Sequence, residues 1–269
     1  MNESKKYPRT LHAQFSLGTT SDDRFMPDGY VDVFAEYPSL VITEKLDGEN
    51  TCMNKYGAFS RSHTSPTVHP WAQPLIERQK KIKNDLGDVE LFGEGMFGIH
   101  SLEYSKLDSY FYLFAVRNKD MWLSWEEVCF YAEMFDFPTV PVLSTSSGLK
   151  KFIDLAINEN SSLQHWITGN LGMTWERFVS TPGMLHGFDP KYGFSCSGNE
   201  GLVIRNTSEY KTNNGFLPIA ENEMDCVMKL VRQTHVKTDV HWTKTWRKAT
   251  LINYTKYNWH EYQYLENEK

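Results

Sequence analysis

Cysteine is scarce in this 269-residue chain. Cys52, Cys129, Cys196 and Cys226 lie far apart and form neither a Cys-x-x-Cys pair nor a Cys/His ligand spacing. That spacing excludes a zinc ribbon or a disulfide framework as the organising device. None of the nine histidines belongs to a His-Glu-x-x-His motif, and His63, His69 and His100 read as surface or hydrogen-bonded core residues rather than metal ligands. No apolar run approaches the roughly 18 residues of a membrane span, and the start, Met1 to Pro8, has no apolar segment of the signal-peptide kind. The expected location is therefore cytoplasmic, or nuclear where a nucleus exists. Positive charge does not predominate either. A net charge of −6 excludes a protein that coats nucleic acid by charge alone, although it allows local patches. Two such patches are Arg78 to Lys83, which suits a solvated helix face equally well, and the series Lys229, Arg232, Lys237, Lys244, Arg247 and Lys248.

With 40% apolar residues the chain has ample material for a core. No repeat, low-complexity tract or linker divides it. Apolar and β-branched residues alternate with polar ones over residues 41–59 around the Asp47-Gly48 break, which predicts two strands. Further strands are expected at residues 89–92, 110–116, 202–205 and 227–231. Helices are expected at 74–86, at 148–158 and at 174–179. Another opens with the capping box Ser124-Trp125-Glu126-Glu127 and stops before Pro138. An aromatic-rich C-terminal segment, 240–265, places Trp242 and Trp246 at helical spacing.

The residue run with the most chemistry is Glu44-Lys45-Leu46-Asp47-Gly48, directly after the apolar Leu40-Val41-Ile42. A lysine of pKa about 10.4 must be desolvated or electrostatically tuned before it attacks as a free amine. Neighbouring carboxylates and a burying strand are the means. The same run also suits an ordinary turn with the lysine in water. Downstream come Ser60-Arg61-Ser62, Phe92-Gly93-Glu94-Gly95, the aromatic strand Phe111 to Val116, Glu200 to Arg205, and Val227-Met228-Lys229-Leu230-Val231. In this order the six segments resemble the motifs of covalent nucleotidyltransferases, the superfamily of ATP-dependent ligases and RNA capping enzymes.

That resemblance implies an α+β nucleotidyltransferase (adenylylation) domain, built from antiparallel sheets around an ATP cleft with flanking helices. One domain is expected over residues 1–269, with its motif core at 41–232. No accessory barrel of the OB type is expected, because neither flank of the motifs looks long enough for about five strands. The resemblance also implies that Lys45 is the nucleophile, forming a lysyl-AMP intermediate, and that Lys229 contacts the α-phosphate. Glu44, Arg61, Glu94, Phe114 and Glu200 complete the implied nucleotide site. Glu94 would contact the ribose, Phe114 would stack on adenine, and Glu200 would help to hold Mg2+, with Mn2+ as a substitute. Asp47 and Gly48 would have structural work. Read locally, Glu94 and Glu200 also suit turn acids, Phe114 a core aromatic and Arg61 a surface cation.

The last segment departs from the pattern of many RNA ligases, where two lysines are separated by one residue. Here Val227 and Val231 stand on either side of Lys229, and Arg232 is the candidate substitute. Outside the motifs, Lys6 to His12, Phe97 to Ser101, Val231 to Val236 and His241-Trp242 resemble the Deinococcus-type RNA ligases. Their activity implies ATP-dependent joining of a 3′-hydroxyl to a 5′-phosphate, with RNA or a nicked duplex carrying RNA on the 3′-hydroxyl side as partner, in RNA repair. Two alternatives stay open. One is an adenylyltransferase or ligase acting on DNA or another acceptor, and the other is a non-catalytic RNA-binding module on a ligase fold.

Overall fold

The computed structural model describes residues 7–21, 23–61, 64–153, 158–189, 198–211, 226–233 and 242–267. In chain order its strands are β1 (Leu11–His12), β2 (Leu40–Lys45), β3 (Glu49–Asn54), β4 (Gly57–Ser60), β5 (Val89–Gly95), β6 (Glu103–Tyr104), β7 (Phe111–Asn118), β8 (Met121–Trp122), β9 (Val142–Ser146), β10 (Gly187–Phe188), β11 (Gly201–Asn206), β12 (Tyr210–Lys211) and β13 (Val227–Val231). The α-helices are α1 (Tyr30–Glu36), α2 (Gln73–Ile82), α3 (Trp125–Met134), α4 (Lys150–Ile153), α5 (Glu159–Leu171) and α6 (Trp175–Val179).

Two sheets carry the fold. A five-stranded sheet runs β1-β13-β11-β2-β9 and a six-stranded sheet runs β12-β8-β7-β5-β3-β4. All their pairings are antiparallel except β1 with β13. This is the α+β architecture of antiparallel sheets flanked by helices that the sequence implied.

Alternation decides which face of the five-stranded sheet is covered. Leu40 and Ile42 of β2, Leu202 and Ile204 of β11, and Met228 and Leu230 of β13 point into one core. That core is closed by Tyr30 and Phe34 of α1, by Leu163, Trp166 and Ile167 of α5, and by Phe178 of α6. The intervening residues Thr43, Lys45, Val203 and Lys229 must then face the other way, toward the second sheet. The six-stranded sheet has its own core, which includes Phe92, Phe111, Leu113, Trp122 and Trp259.

Strands β2 and β3 flank the Asp47-Gly48 break as expected, but they belong to different sheets. The chain crosses between layers at this break, with Lys45 at the point of departure. Helix α3 opens with the full reciprocal capping box between Ser124 and Glu127. Helix α6 is capped by Thr174, whose side chain accepts from the Arg177 N–H.

Two expectations need correction. The helix expected at 148–158 is only the single turn α4, and residues 154–157 lie outside those described. Helices α1 and α5 were not anticipated. In place of a continuous helix over 240–265 there are two 3-10 turns, Trp242–Lys244 and His260–Asn267; residues 234–241 lie outside those described. The segment between these turns follows the domain surface instead. Ala249 donates its N–H to the Phe97 carbonyl (2.8 Å) and Ile252 to that of Leu107 (2.8 Å), and the buried Tyr254 and Trp259 fill the six-stranded sheet's core. Backbone bonds to another segment and large rings aimed at one core outweigh the helical spacing of two tryptophans. Among the described residues no helix is long and apolar enough to cross a membrane.

Candidate active site

Where the open faces of the two sheets meet lies a cavity of about 360 Å³. The five-stranded sheet contributes Lys45, Val203, Arg205 and Lys229 to its wall, and the six-stranded side contributes Asn50, Ser60, Arg61, Glu94 and Phe114. Pairing register explains the convergence. Val203 of β11 stands opposite both Thr43 and Lys229, while Gly201 stands opposite Lys45 and Val231. A Cβ at Gly201 would lie 1.9 Å from the Leu230 carbonyl oxygen, so only glycine fits that crossing.

The Lys45 ammonium lies 2.6 Å from Glu200 Oε1. Burial by itself would lower the lysine's pKa, but Glu200, Glu94 and Asp47 outweigh it and the net shift is upward. Lys45 is therefore a protonated, paired ammonium in this state. Glu94, next to it, is pushed up to about 8 by burial, with Glu200 and Asp47 adding repulsion against the opposing pull of Lys45. Its Oε1 accepts from the Gly48 N–H at 3.1 Å.

The turn after Lys45 is held by hydrogen bonds. Asp47 Oδ2 accepts from the backbone N–H groups of Ser101 (2.8 Å) and Leu102 (2.7 Å), and the Asp47 N–H donates to the Tyr104 hydroxyl (2.9 Å). A Cβ at Gly48 would meet the Gly95 carbonyl oxygen at 2.6 Å and Glu94 Cγ at 2.9 Å. These contacts bear out the structural work expected of both residues.

Phe114 reaches the cavity through an irregularity. Phe92 pairs with Ala115 and Gly93 with Leu113, so Phe114 has no opposite residue in β5. Such a bulge re-aims a side chain at a sheet's functional edge. The ring meets Tyr7 edge-on at 5.1 Å, and the Arg205 guanidinium sits 5.6 Å from its centroid while donating to the Phe114 carbonyl.

On the far side, Lys229 Nζ lies 3.4 Å from Asp23 Oδ1, the same oxygen that lies 3.1 Å from His12 Nε2. Burial and the nearby Lys45 charge lower the Lys229 pKa. Burial, with help from Lys229, also drives His12 down to about 4, so the imidazole is neutral at physiological pH. Burial works against the Asp23 charge, but the Thr20 N–H and Lys229 prevail and hold its carboxyl well below the usual range. Neither Asp23 nor His12 was singled out from the sequence as a site residue. The parallel pairing of His12 with Lys229 brings them there, and the segment Lys6 to His12, although it carries the outlying resemblance, implies no such contact. Arg205 was likewise passed over, although it lies within a quoted segment.

Of the expected site residues, Lys45, Arg61, Glu94, Phe114 and Lys229 line the cavity and Glu200 joins them through its ion pair with Lys45; Glu44 also borders the cavity, but its carboxylate is anchored elsewhere. Strand alternation turns its carboxylate to the opposite face, where it is buried and its Oε2 accepts from the Met184 N–H at 2.8 Å. Burial raises its pKa to about 7. Val231, one of the two positions open to the second lysine absent from β13, packs closely on Gly18. Gly18 donates its N–H to the Val231 carbonyl, and a Cβ on Gly18 would come within 2.7 Å of the Val231 side chain. Arg232 is buried, where burial lowers its pKa and Asp189 and Glu200 oppose the shift. Among the described residues no group of three or more His, Cys, Asp or Glu is placed to hold a metal ion. Glu200 nevertheless offers the kind of hard oxygen donor that Mg2+ takes alongside phosphates.

Residues 38–231 match the family model described as RNA ligase. No curated protein is significantly similar in sequence. Among solved structures, a putative ATP-dependent DNA ligase from Aquifex aeolicus is 18% identical with a TM-score of 0.43, covering 78% of this chain and 50% of that one. An archaeal ATP-dependent RNA ligase is 15% identical with a TM-score of 0.44, covering 84% and 48%. A Naegleria gruberi RNA ligase with pyrophosphate is 12% identical with a TM-score of 0.44, covering 87% and 61%. The chain thus spans about half to three fifths of the length of these chains.

Proposed function

Because this chain belongs to the RNA ligase family, we propose that it is an ATP-dependent RNA ligase working through a lysyl-AMP intermediate on Lys45. The observation that carries the proposal is the meeting of Lys45, Glu94, Lys229 and Phe114 at one cavity between the two sheets, with Glu200 paired to Lys45. Under this reading residues 1–269 form one nucleotidyltransferase domain with its motif core at 41–232.

Lys45 first releases its proton to solvent, then its Nζ forms a bond to the α-phosphorus of ATP as the bond to pyrophosphate breaks. Lys229 neutralises charge on the α-phosphate in that transition state. Phe114 offers a flat apolar face to the base, held by Tyr7 and Arg205. Glu94, mostly protonated at neutral pH, is able to donate as well as accept toward the ribose hydroxyls. A 5′-phosphate oxygen of RNA next takes AMP from Lys45, and the released amine regains its proton. A 3′-hydroxyl then attacks the activated 5′-phosphate, giving its proton to solvent and sealing the strand as AMP departs.

Glu200 would hold Mg2+, which when bound supplies charge neutralisation at the phosphates and at the carboxylate that now pairs with Lys45. The likeness of Phe97 to Ser101 and of the other outlying segments supports membership of the Deinococcus type and joining of 3′-hydroxyl to 5′-phosphate ends in RNA repair. The test is a sealing assay on nicked duplexes with RNA or DNA on the 3′-hydroxyl side, with and without ATP. ATP-dependent sealing of the RNA-containing nick, lost in Lys45→Ala, is expected. Equal sealing of an all-DNA nick would assign the chain to DNA, and failure on every nick would overturn the reading.

A further inference from the structure

A row of rings leads from the protein surface to the cavity wall. The His69 ring stacks on Trp71 (centroids 4.4 Å apart, planes at 9°), and Trp71 meets Trp242 edge-on at 5.3 Å. Trp242 in turn stacks on His100 at 3.7 Å and 22°, and His100 borders the cavity itself. Tryptophans that serve the core here, Trp122, Trp166 and Trp259, are at most 1% exposed. Trp71 and Trp242 instead keep part of their surface in solvent, as do both histidines, while the partly buried Trp246 packs on the core of the six-stranded sheet. Burial alone does not explain four rings in this arrangement.

Cations lie beside the rings. Residues 242–248, Trp-Thr-Lys-Thr-Trp-Arg-Lys, carry three basic residues and no acid in a chain whose net charge is −6. The segment is fixed against the cavity rim, because the Ile99 N–H donates to the Arg247 carbonyl at 2.9 Å and Gly98 bridges to Lys248. Lys244 and Lys248 are exposed, while Arg247 is paired with Glu103 at 2.8 Å. Flat rings flanked by cations, ending at a phosphate-handling cleft, match a flexible polyanion whose bases are free to stack.

We propose that this rim binds a single-stranded stretch of the RNA substrate, its bases stacking on the His69, Trp71 and Trp242 rings and its phosphates meeting Lys244 and Lys248. The inference rests on the ligase reading for its substrate, but it concerns binding alone. The test measures fluorescence anisotropy of a labelled single-stranded RNA of about 12 nucleotides, and of its duplex, with the full chain. His69→Ala and Trp242→Leu are expected to weaken single-strand binding roughly fivefold or more, with a smaller effect on the duplex. Lys244→Ala combined with Lys248→Ala is expected to reduce the slope of log Kd against log salt by roughly 1.4. Unfolding midpoints identify any variant that fails to fold, and His69, at the end of the row, serves as the mild probe.

AMP labelling of the same proteins separates the two claims. Labelling at the wild-type level with weakened RNA binding supports the rim. Absent labelling in the wild type, with binding that still depends on the rings, would sink the ligase reading and leave the rim standing. RNA binding unchanged in His69→Ala, in a folded Trp242→Leu and in the lysine pair would overturn the rim and reduce the rings to a tether for residues 242–267.

Discussion

Adjacent residues of one strand, Glu44 and Lys45, have opposite fates because a strand's side chains alternate. Lys45 faces a cleft rich in carboxylates that keep its proton on, whereas the Glu44 carboxylate is buried against Gly183 and Met184 with a backbone N–H donor to one oxygen. Glu44 is thus most comfortable as the neutral acid. Its folded pKa of about 7 lies above the ordinary value of 4.5, so its contribution to stability is complete below pH 4.5 and is lost as pH rises through 7. The whole difference amounts to roughly 3 kcal/mol. Glu44→Gln removes this titration. Denaturant unfolding of variant and wild type at pH 5 and pH 8 is expected to show the variant gaining relative stability at the higher pH. An unchanged gap at the two pH values would mean that Glu44 is not held neutral. The sequence displayed Glu44 beside Lys45 but gave no sign that its carboxylate would turn away, since that depends on which face the helices α1, α5 and α6 cover.

At the scale of elements, the turn between β2 and β3 connects the layers and sets the nucleophile's place. Asp47 anchors it to the Ser101 and Leu102 N–H groups. Asp47→Ala would leave two donors without their acceptor, at a cost of about 2–4 kcal/mol. Calorimetry should register that loss, and AMP labelling should fall with it because Lys45 leaves the Glu200 and Lys229 neighbourhood; a variant as stable and as active as the wild type would show that the anchor is dispensable. The strands bearing Lys45, Glu94, Phe114 and Lys229 are legible from alternation and turn residues, whereas the meeting of their side chains is implied only by the resemblance of the motifs. The bulge at Phe114 was not, because it arises from pairing across β5 and β7. Helix α5 carried readable signals, Asn158 as N-cap, Gly172 at φ 64° after its last turn, and Leu163, Trp166 and Ile167 on one face. Those apolar residues are few among polar neighbours, so the periodicity is weak. The His12–Asp23–Lys229 cluster joins residues over 200 positions apart through the β1–β13 pairing, a relation no window of sequence contains.

For the whole molecule, the C-terminal segment is part of the domain's core rather than an appendage. Trp259 is fully buried, donates its indole N–H to Ser109 Oγ at 2.9 Å and packs against Tyr110 at 5.4 Å. Trp259→Ala is expected to cost about 3–5 kcal/mol in a single cooperative transition. Separate early loss of the C-terminal segment, seen as proteolysis confined to residues after 242 with the rest intact, would contradict that integration. The same integration fixes the rim of the cleft, since residues 242–249 run beside Phe97 and Ile99.

The central claim is that this two-sheet cleft makes Lys45 a covalent acceptor of AMP. Intact-mass spectrometry after incubation with ATP and Mg2+, followed by peptide mapping, tests it most directly. The account expects the mass to rise by one AMP on Lys45 in the wild type and not in Lys45→Ala. An unmodified, folded wild-type protein that was free of AMP at the start, or an adduct mapping to any other residue, would contradict it.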